Sequence, residues 1–163
     1  MGPEQNNKAI LALTGSEKEC YFLPASGAES IPMMVNILIG WGLDYIILNF
    51  GNAEERTIHE NLRKDLFDNK IDLASEQMVL MDEYMDVEDM FSTIDFKKYV
   101  VQVREGITVK NSEYLKDNNY SRAVLASNFL QEVGSGNVTF KKLDEESREN
   151  LTRFVERLTN MLK

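Results

Sequence analysis

A continuous apolar run from Asp44 to Phe50 constrains the fold of this chain more than any other feature. The run reads DYIILNF and lacks the strict alternation of polar and apolar residues that marks a half-exposed strand. Such a run is typical of a strand covered on both faces, as in the interior of a parallel sheet. The sequence therefore predicts a buried strand here.

A helix and another strand are predicted to follow this run. Asn52 and Glu55 have the spacing of a capping box. An apolar stripe with helical spacing comes next, formed by Ile58, Leu62 and Leu66. Residues 77–81 read as the next strand, and strand–helix–strand order favours a parallel crossover.

The N-terminal part of the chain predicts a similar alternation. Lys8–Leu13 is a short apolar helix candidate, and Cys20–Leu23 reads as a buried strand. Ser30 is the expected N-cap of a helix over residues 31–42, IPMMVNILIGWG. Because this helix is apolar on nearly every face, we expect it to be buried against the sheet.

The C-terminal third is predicted to be helical. Residues 99–103 fit either a strand or a helix end, and residues 121–133 fit a helix closed by Gly134. A last helix begins at Asp144 and carries an apolar stripe that we expect to pack on the core: Leu151, Phe154, Val155, Leu158 and Leu162. The acidic stretch of residues 82–95 reads as a solvated loop. The chain is thus expected to be one α/β domain with a mostly parallel, Rossmann-like sheet, comprising an α/β core (1–105) and a mainly helical part (106–163).

Composition narrows the expected partners and compartment. The formal net charge is −9, with 27 acidic and 18 basic residues, which argues against nucleic-acid binding because phosphate contacts need clustered Lys and Arg. The basic pairs Lys97-Lys98 and Lys141-Lys142 are too short to form a stripe. A single cysteine, Cys20, suits a reducing compartment, and no apolar run is long enough for a membrane span. We expect a cytoplasmic protein without a membrane partner.

Four segments together resemble the Toprim domain of the OLD (overcoming lysogenization defect) family of ATP-dependent endonucleases. They are FLPASGAESIPMMVNILIGWGLDYIILNFGNAEE, DVEDMF, NYSRAVLASNFLQEV and LDEESRENLTRFVERL, and they cover most of the chain from Cys20 onward. The resemblance implies a Toprim-type sheet flanked by helices. It also implies a relation to DNA processing or bacterial defence.

The resemblance also implies which acidic residues an active nuclease of this family would need. Toprim nucleases hold Mg²⁺ with an acid in an E-G pattern after the first strand and with a D-x-D pair at the end of a later one. Carboxylates are the ligands that this hard cation prefers, and two such ions promote phosphodiester cleavage. Here Met1 and Gln5 stand at acid positions, and the D-x-D place reads Asn49-Phe50-Gly51. Arg122 stands where the resemblance implies Lys.

Only Glu88 and Asp89 match the acids of that pattern, and Asn49 offers an amide oxygen as a further candidate metal ligand. The alternative for Glu88 and Asp89 is a solvated loop or the first turn of a helix. The turn at Ser26-Gly27 precedes a helix and is a candidate phosphate site, although an ordinary turn is the simpler interpretation. His59, without a matched nucleophile, is predicted to be a surface residue.

Three functional hypotheses follow. The first is a non-catalytic Toprim-like structural or interaction module, and the second is an active Mg²⁺-dependent nuclease. The third is a flavodoxin-like domain that binds a small molecule or nucleotide at residues 25–30 and 49–52. The resemblance places the first sheet strand before Met1, which would leave an open sheet edge and motivates a homodimer or an ATPase partner subunit.

Overall fold

The computed structural model describes residues 21–25 and 27–162, which form two compact units. The strand unit comprises Ala25–Met85 together with the end of the chain from Arg157. The helical unit comprises Asp86–Glu156 together with residues 21–24 among those described. Within the described residues the structure is mixed α/β and mostly helical, and none of its helices is both long and apolar enough to cross a bilayer.

The strand unit is built around two parallel strands. Its elements are the 3₁₀ turn Ala28–Ser30, α1 (Ile31–Gly40), β1 (Ile47–Phe50), α2 (Ala53–Phe67), α3 (Ile71–Gln77) and β2 (Met78–Met81). Ile47 lies opposite Met78, and Phe50 lies opposite Met81. The two strands and the helical connection between them confirm the prediction. The sheet has two strands among the described residues, so the larger Rossmann-like sheet is not confirmed.

The start of α2 shows why the chain turns from strand to helix at this point. The Asn52 side chain accepts a hydrogen bond from the Glu55 backbone N–H at 2.9 Å. The Glu55 carboxylate reaches back and accepts from the Phe50 backbone N–H at 2.6 Å. The capping pair predicted from the sequence therefore fastens the end of β1 to the first turn of α2.

A small core lies between these elements. Its buried members come one each from α1, β1, α2, α3 and β2: Val35, Ile47, Leu62, Ala74 and Met78. Partly buried side chains pack around them, namely Ile31, Tyr45, Ile58, Leu66 and Phe67. The predicted stripe of α2 is thus confirmed as the core-facing side of that helix.

Helix α1 ends as the sequence suggests but is not buried as expected. Gly42, with φ of 66°, follows the last turn, and the Leu43 N–H donates to the Leu38 carbonyl at 3.0 Å, as in a Schellman motif. Val35 is the buried residue of the helix, whereas Met33 is 63% exposed and Trp41 is 73% exposed. The expectation of a helix covered on nearly every face was wrong, because a sheet of two strands covers one face only.

The strand predicted at Cys20–Leu23 does not form over its described part. Residues 21–23 have no regular structure, and Tyr21 is 82% exposed. Cys20 and the helix candidate Lys8–Leu13 lie outside the described residues. Without a neighbouring strand, a short apolar run gains neither ladder hydrogen bonds nor a covered face.

The helical unit is formed by short elements around an aromatic core. They are the 3₁₀ turn Val87–Met90, α4 (Thr93–Asp95) continuing as the π-helix Phe96–Val101, α5 (Asn111–Asp117), α6 (Arg122–Gly134), the 3₁₀ turn Phe140–Lys142 and α7 (Glu145–Met161), whose end belongs to the strand unit. Phe96, Phe129 and Phe154 are fully buried. The helix predictions for α6 and α7 are confirmed, and residues 99–101 form a helix end rather than a strand. Of the α7 stripe, Leu151, Phe154, Val155 and Leu158 are buried, whereas Leu162 is half-buried and follows the helix end.

The acidic stretch is only partly the solvated loop that was predicted. Asp82 and Glu83 are exposed, but Glu88 is 4% exposed and Asp95 is 3% exposed. The Asp95 carboxylate accepts a hydrogen bond from the Asp144 backbone N–H at 2.8 Å. This acid is buried because it fastens the start of α7.

Candidate functional site

The end of β1 is the place where the resemblance puts the D-x-D acids. Asn49 is 5% exposed and is the second-to-last residue of the strand, and Gly51 follows directly after it. The ends of parallel strands are where an open α/β sheet gathers ligands. This strand end, defined by Asn49, Gly51 and the following residues Asn52, Glu55 and Arg56, is the candidate site of the strand unit.

Gly51 has no room for a side chain. A Cβ atom at this position would lie 2.6 Å from the Asp82 carbonyl oxygen and 3.0 Å from the Tyr84 carbonyl oxygen. The Gly51 N–H also donates to the Tyr84 carbonyl at 2.7 Å. The backbone after β2 thus packs directly on Gly51, in the space that the second acid of a D-x-D pair would need.

The guanidinium of Arg56 lies at the same strand end. Arg56 Nε donates to the Gly51 carbonyl oxygen at 2.7 Å, and Arg56 Nη2 lies 2.5 Å from the Asp82 carboxylate. Asp82 is therefore neutralised by an internal cation, and the positive charge of Arg56 disfavours a second cation nearby.

Asn49 is also engaged by the protein. Its Oδ1 lies 3.2 Å from Nδ1 of His59, on α2. Burial, together with the nearby charge of Arg63, lowers the pKa of His59 below its ordinary value. The lowered pKa favours the neutral imidazole, which can donate from Nδ1 to the Asn49 oxygen in one of its two tautomers. His59 is half-buried, so its prediction as a surface residue was wrong in part.

These contacts do not fit a Mg²⁺ site. Mg²⁺ needs converging carboxylates, but the Glu55 carboxylate accepts from the Phe50 backbone N–H and the Asp82 carboxylate pairs with Arg56. The positions of the D-x-D acids hold an amide that contacts His59 and a glycine without space for a side chain. Among the described residues no group of three or more His, Cys, Asp and Glu side chains is arranged to hold a metal.

Glu88 and Asp89 lie in the helical unit, on the 3₁₀ turn Val87–Met90. Glu88 Oε1 is 3.5 Å from Arg122 Nε, and Arg122 Nη2 is 2.9 Å from the Asp86 carboxylate. Glu88 Oε2 is buried and has no hydrogen-bond partner among the described residues. Burial raises the pKa of Glu88 to about 6, against the lowering effect of Arg122.

Asp89 holds the start of α5. Its carboxylate accepts from the Ser112 backbone N–H at 2.9 Å and from the Ser112 hydroxyl at 2.6 Å. Asn111 Nδ2 donates to the Glu88 carbonyl at 2.9 Å and to the Phe91 carbonyl at 2.7 Å. The acid that matches the family pattern therefore caps a helix, which assigns Asp89 a structural role.

At the candidate phosphate turn, side chains of the protein itself take the space beside Gly27. An added Cβ at Gly27 would lie 2.5 Å from a carboxylate oxygen of Glu29, and the Ser30 hydroxyl donates to the Gly27 carbonyl at 2.8 Å. A carboxylate beside this turn repels phosphate. The interpretation as an ordinary turn fits this geometry.

The structure brings some of the predicted residues together and leaves others apart. Asn49 and Gly51 share one strand end, as the sequence indicated, and Glu88 and Arg122 form an ion pair that the sequence did not predict. Ser26, Gln5 and Met1 lie outside the described residues. Sequence reasoning missed Arg56; the signal for it was its place in the first turn of α2, one residue after the capping Glu55.

Comparison with known proteins adds no family assignment. No family model, no curated protein and no solved structure matches the chain.

Proposed function

We propose that this chain is a degenerate Toprim-like domain, related to the OLD-family ATP-dependent endonucleases, that acts as a non-catalytic structural or interaction module. Its setting would be DNA processing or bacterial defence, with a second copy or an ATPase subunit as partner. The order and spacing of the four segments quoted above support the relation.

The observation that carries the proposal is the packing around Gly51. The loss of an acid at this position is not an isolated change, because the Asp82 and Tyr84 carbonyls lie where its side chain would stand. At the same strand end, Arg56 then supplies the positive charge that a metal ion would have supplied. The local structure is thus fitted to the absence of the acid.

A cleavage assay tests the proposal. Purified protein is incubated with supercoiled plasmid and Mg²⁺ or Mn²⁺, and we expect no nicking above the protein-free control. Divalent-dependent nicking that is lost in Glu88→Gln would overturn the proposal. Loss in that variant separates activity of this chain from that of a contaminating nuclease.

A calorimetric titration with Mg²⁺ gives a second, independent readout. We expect no saturable heat for the wild-type protein, and none for Asn49→Asp, which restores the first acid of the D-x-D pair. The reason is that Gly51 and Arg56 remain in place. Saturable binding by Asn49→Asp alone would show that the strand end still accommodates a metal.

A further inference from the structure

Helix α1 carries an apolar surface that the strand unit leaves uncovered. Met33, Ile37 and Trp41 follow one another at i, i+4 and i+8, and they are 63%, 45% and 73% exposed. They lie on the side of α1 opposite Val35, which packs into the core. Leu43, 50% exposed, follows the helix end, whereas Ile39 lies one turn after Val35 and therefore on the opposite side of the helix from Met33, Ile37 and Trp41. We call Met33, Ile37, Trp41 and Leu43 the α1 face.

The α1 face is also free of charge. Residues 31–43 contain no ionisable side chain, although 28% of the residues of the whole chain are charged. Two copies that each carry a net charge of −9 repel one another over most of their surface. A charge-free surface is where two such copies approach at the lowest electrostatic cost.

The size of the face approaches the apolar part of a dimer interface. With roughly 150–250 Å² for a fully exposed large side chain, the four residues expose on the order of 450 Å². A standard interface buries about 800 Å² per partner, of which about 65% is apolar in homodimers. The largest contiguous apolar patch on a typical monomer covers about 300–600 Å² and is often functional.

We propose that the α1 face is the surface through which two copies of this chain form a symmetric dimer. This inference rests on the proposed function in treating the chain as an interaction module, and it names the partner and the surface. In a two-fold arrangement the α1 helices run antiparallel, with Ile37 near the axis and Met33 of each copy toward Trp41 of the other. Antiparallel packing also opposes the two helix dipoles.

Sedimentation equilibrium across about 1–100 µM protein tests the dimer. We expect the wild-type protein to dimerise, and Ile37→Glu to raise the dimer Kd by at least about 100-fold, because it places an unpaired charge at the centre of the contact. Val124→Glu is the matched control, since Val124 is an apolar residue of α6 that is 57% exposed outside the face. We expect this control to dimerise like the wild type.

Cross-linking tests the geometry. In a Cys20→Ser background, Ile37→Cys is expected to form a disulfide-linked dimer on mild oxidation, whereas Val124→Cys is expected to form no disulfide-linked dimer. Should Ile37→Glu fail to fold by circular dichroism, Trp41→Ser replaces it, because the Trp41 side chain is largely exposed.

Two outcomes overturn the inference: a wild-type protein that is monomeric at about 100 µM, or a dimer that persists in both Ile37→Glu and Trp41→Ser. The first would mean that the α1 face serves another occupant, such as an ATPase subunit. Failure of the proposed function is a separate result, since it would appear as Mg²⁺ binding or plasmid nicking whatever the oligomeric state.

Discussion

At the scale of single residues, Glu88 is a buried acid that costs stability at neutral pH. Burial raises the pKa of its carboxyl from 4.5 to about 6. The folded state therefore binds the proton more tightly than the unfolded chain does. The stabilisation is fully present below pH 4.5 and is lost as the pH rises through about 6.

Glu88→Gln is accordingly expected to stabilise the protein at pH 7, by up to about 2 kcal/mol. The amide mimics the protonated acid and removes the charge that is buried without a full set of partners. Urea unfolding at several pH values between 4 and 8 measures this, and the variant should lose the fall in stability between pH 4.5 and about 6 that the wild type shows. The exposed Glu113 provides the control variant Glu113→Gln, with an unchanged profile. A destabilised Glu88→Gln at pH 7 would mean that the ion pair with Arg122 outweighs the cost of burial.

Gly51→Ala is expected to destabilise the protein by about 1–3 kcal/mol, as overpacking does. The added methyl group meets backbone oxygens, which cannot rotate aside as a side chain can. Gly40→Ala is the matched control, since a Cβ there has nothing within 4 Å and alanine favours the helix. Thermal and urea unfolding of both variants give the comparison. Equal stability of Gly51→Ala and the wild type would remove the steric basis of the proposed function.

At the scale of elements, a polar network holds the start of α7. Asp144 accepts from the Ser147 backbone N–H at 2.9 Å and from the Ser92 hydroxyl, and Ser147 Oγ accepts from the Ser92 backbone N–H at 2.9 Å. Burial alone would raise the pKa of Asp144, but these hydrogen bonds hold it below its ordinary value. The stability it contributes is present above its ordinary pKa of 3.8 and is lost as the pH falls through the lower folded value.

Asp144→Ala is expected to cost about 1–2 kcal/mol at pH 7, because α7 loses its N-cap and the Ser92 hydroxyl loses its acceptor. The neighbouring Glu145→Ala removes an exposed acid from the first turn of the same helix and should cost at most about 0.5 kcal/mol. Urea unfolding of the two variants separates capping from the helix dipole. Equal losses in both would mean that the network adds nothing beyond charge.

The elements that sequence predicts well are those fixed by local signals. The capping pair Asn52 and Glu55, the stripe of α2 and the stripe of α7 all depend on residues within a few positions of one another. The burial of α1 was mispredicted because an apolar helix sequence indicates that the helix is to be buried but does not indicate which surface buries it. The strand at residues 21–23 was mispredicted because pairing depends on a distant neighbour.

The candidate site was likewise predictable from the sequence only where nearby residues determine it. The strand end at Asn49 and Gly51 was located from the sequence, since it follows from the end of an apolar run. The contact between Gly51 and the Asp82 and Tyr84 carbonyls joins residues about thirty positions apart, and no local pattern encodes it. The burial of Glu88 depends likewise on Arg122 of α6.

At the scale of the whole molecule, acidic residues form ion pairs with several of the basic side chains. Arg56 pairs with Asp82, Arg122 pairs with Asp86 and Glu88, and Arg157 lies 3.8 Å from Glu83. The Lys142 ammonium donates to the Asn137 carbonyl at 2.8 Å. These cations are partly neutralised, on a chain that already carries a net charge of −9.

We therefore expect duplex DNA to bind more weakly than roughly 100 µM at about 150 mM salt, the weak end of non-specific affinities. Binding to phosphates gains its free energy by releasing counterions, and Arg56, Arg122 and Arg157 would have to leave their acidic partners to contact phosphate. Fluorescence anisotropy with a labelled duplex measures the affinity, and a titration at about 50 mM salt tests whether lower ionic strength reveals phosphate contacts. A Kd below roughly 1 µM with a steep salt dependence would contradict this expectation. If such binding were lost in the double variant Lys141→Glu and Lys142→Glu, the contact would lie beside the 3₁₀ turn Phe140–Lys142.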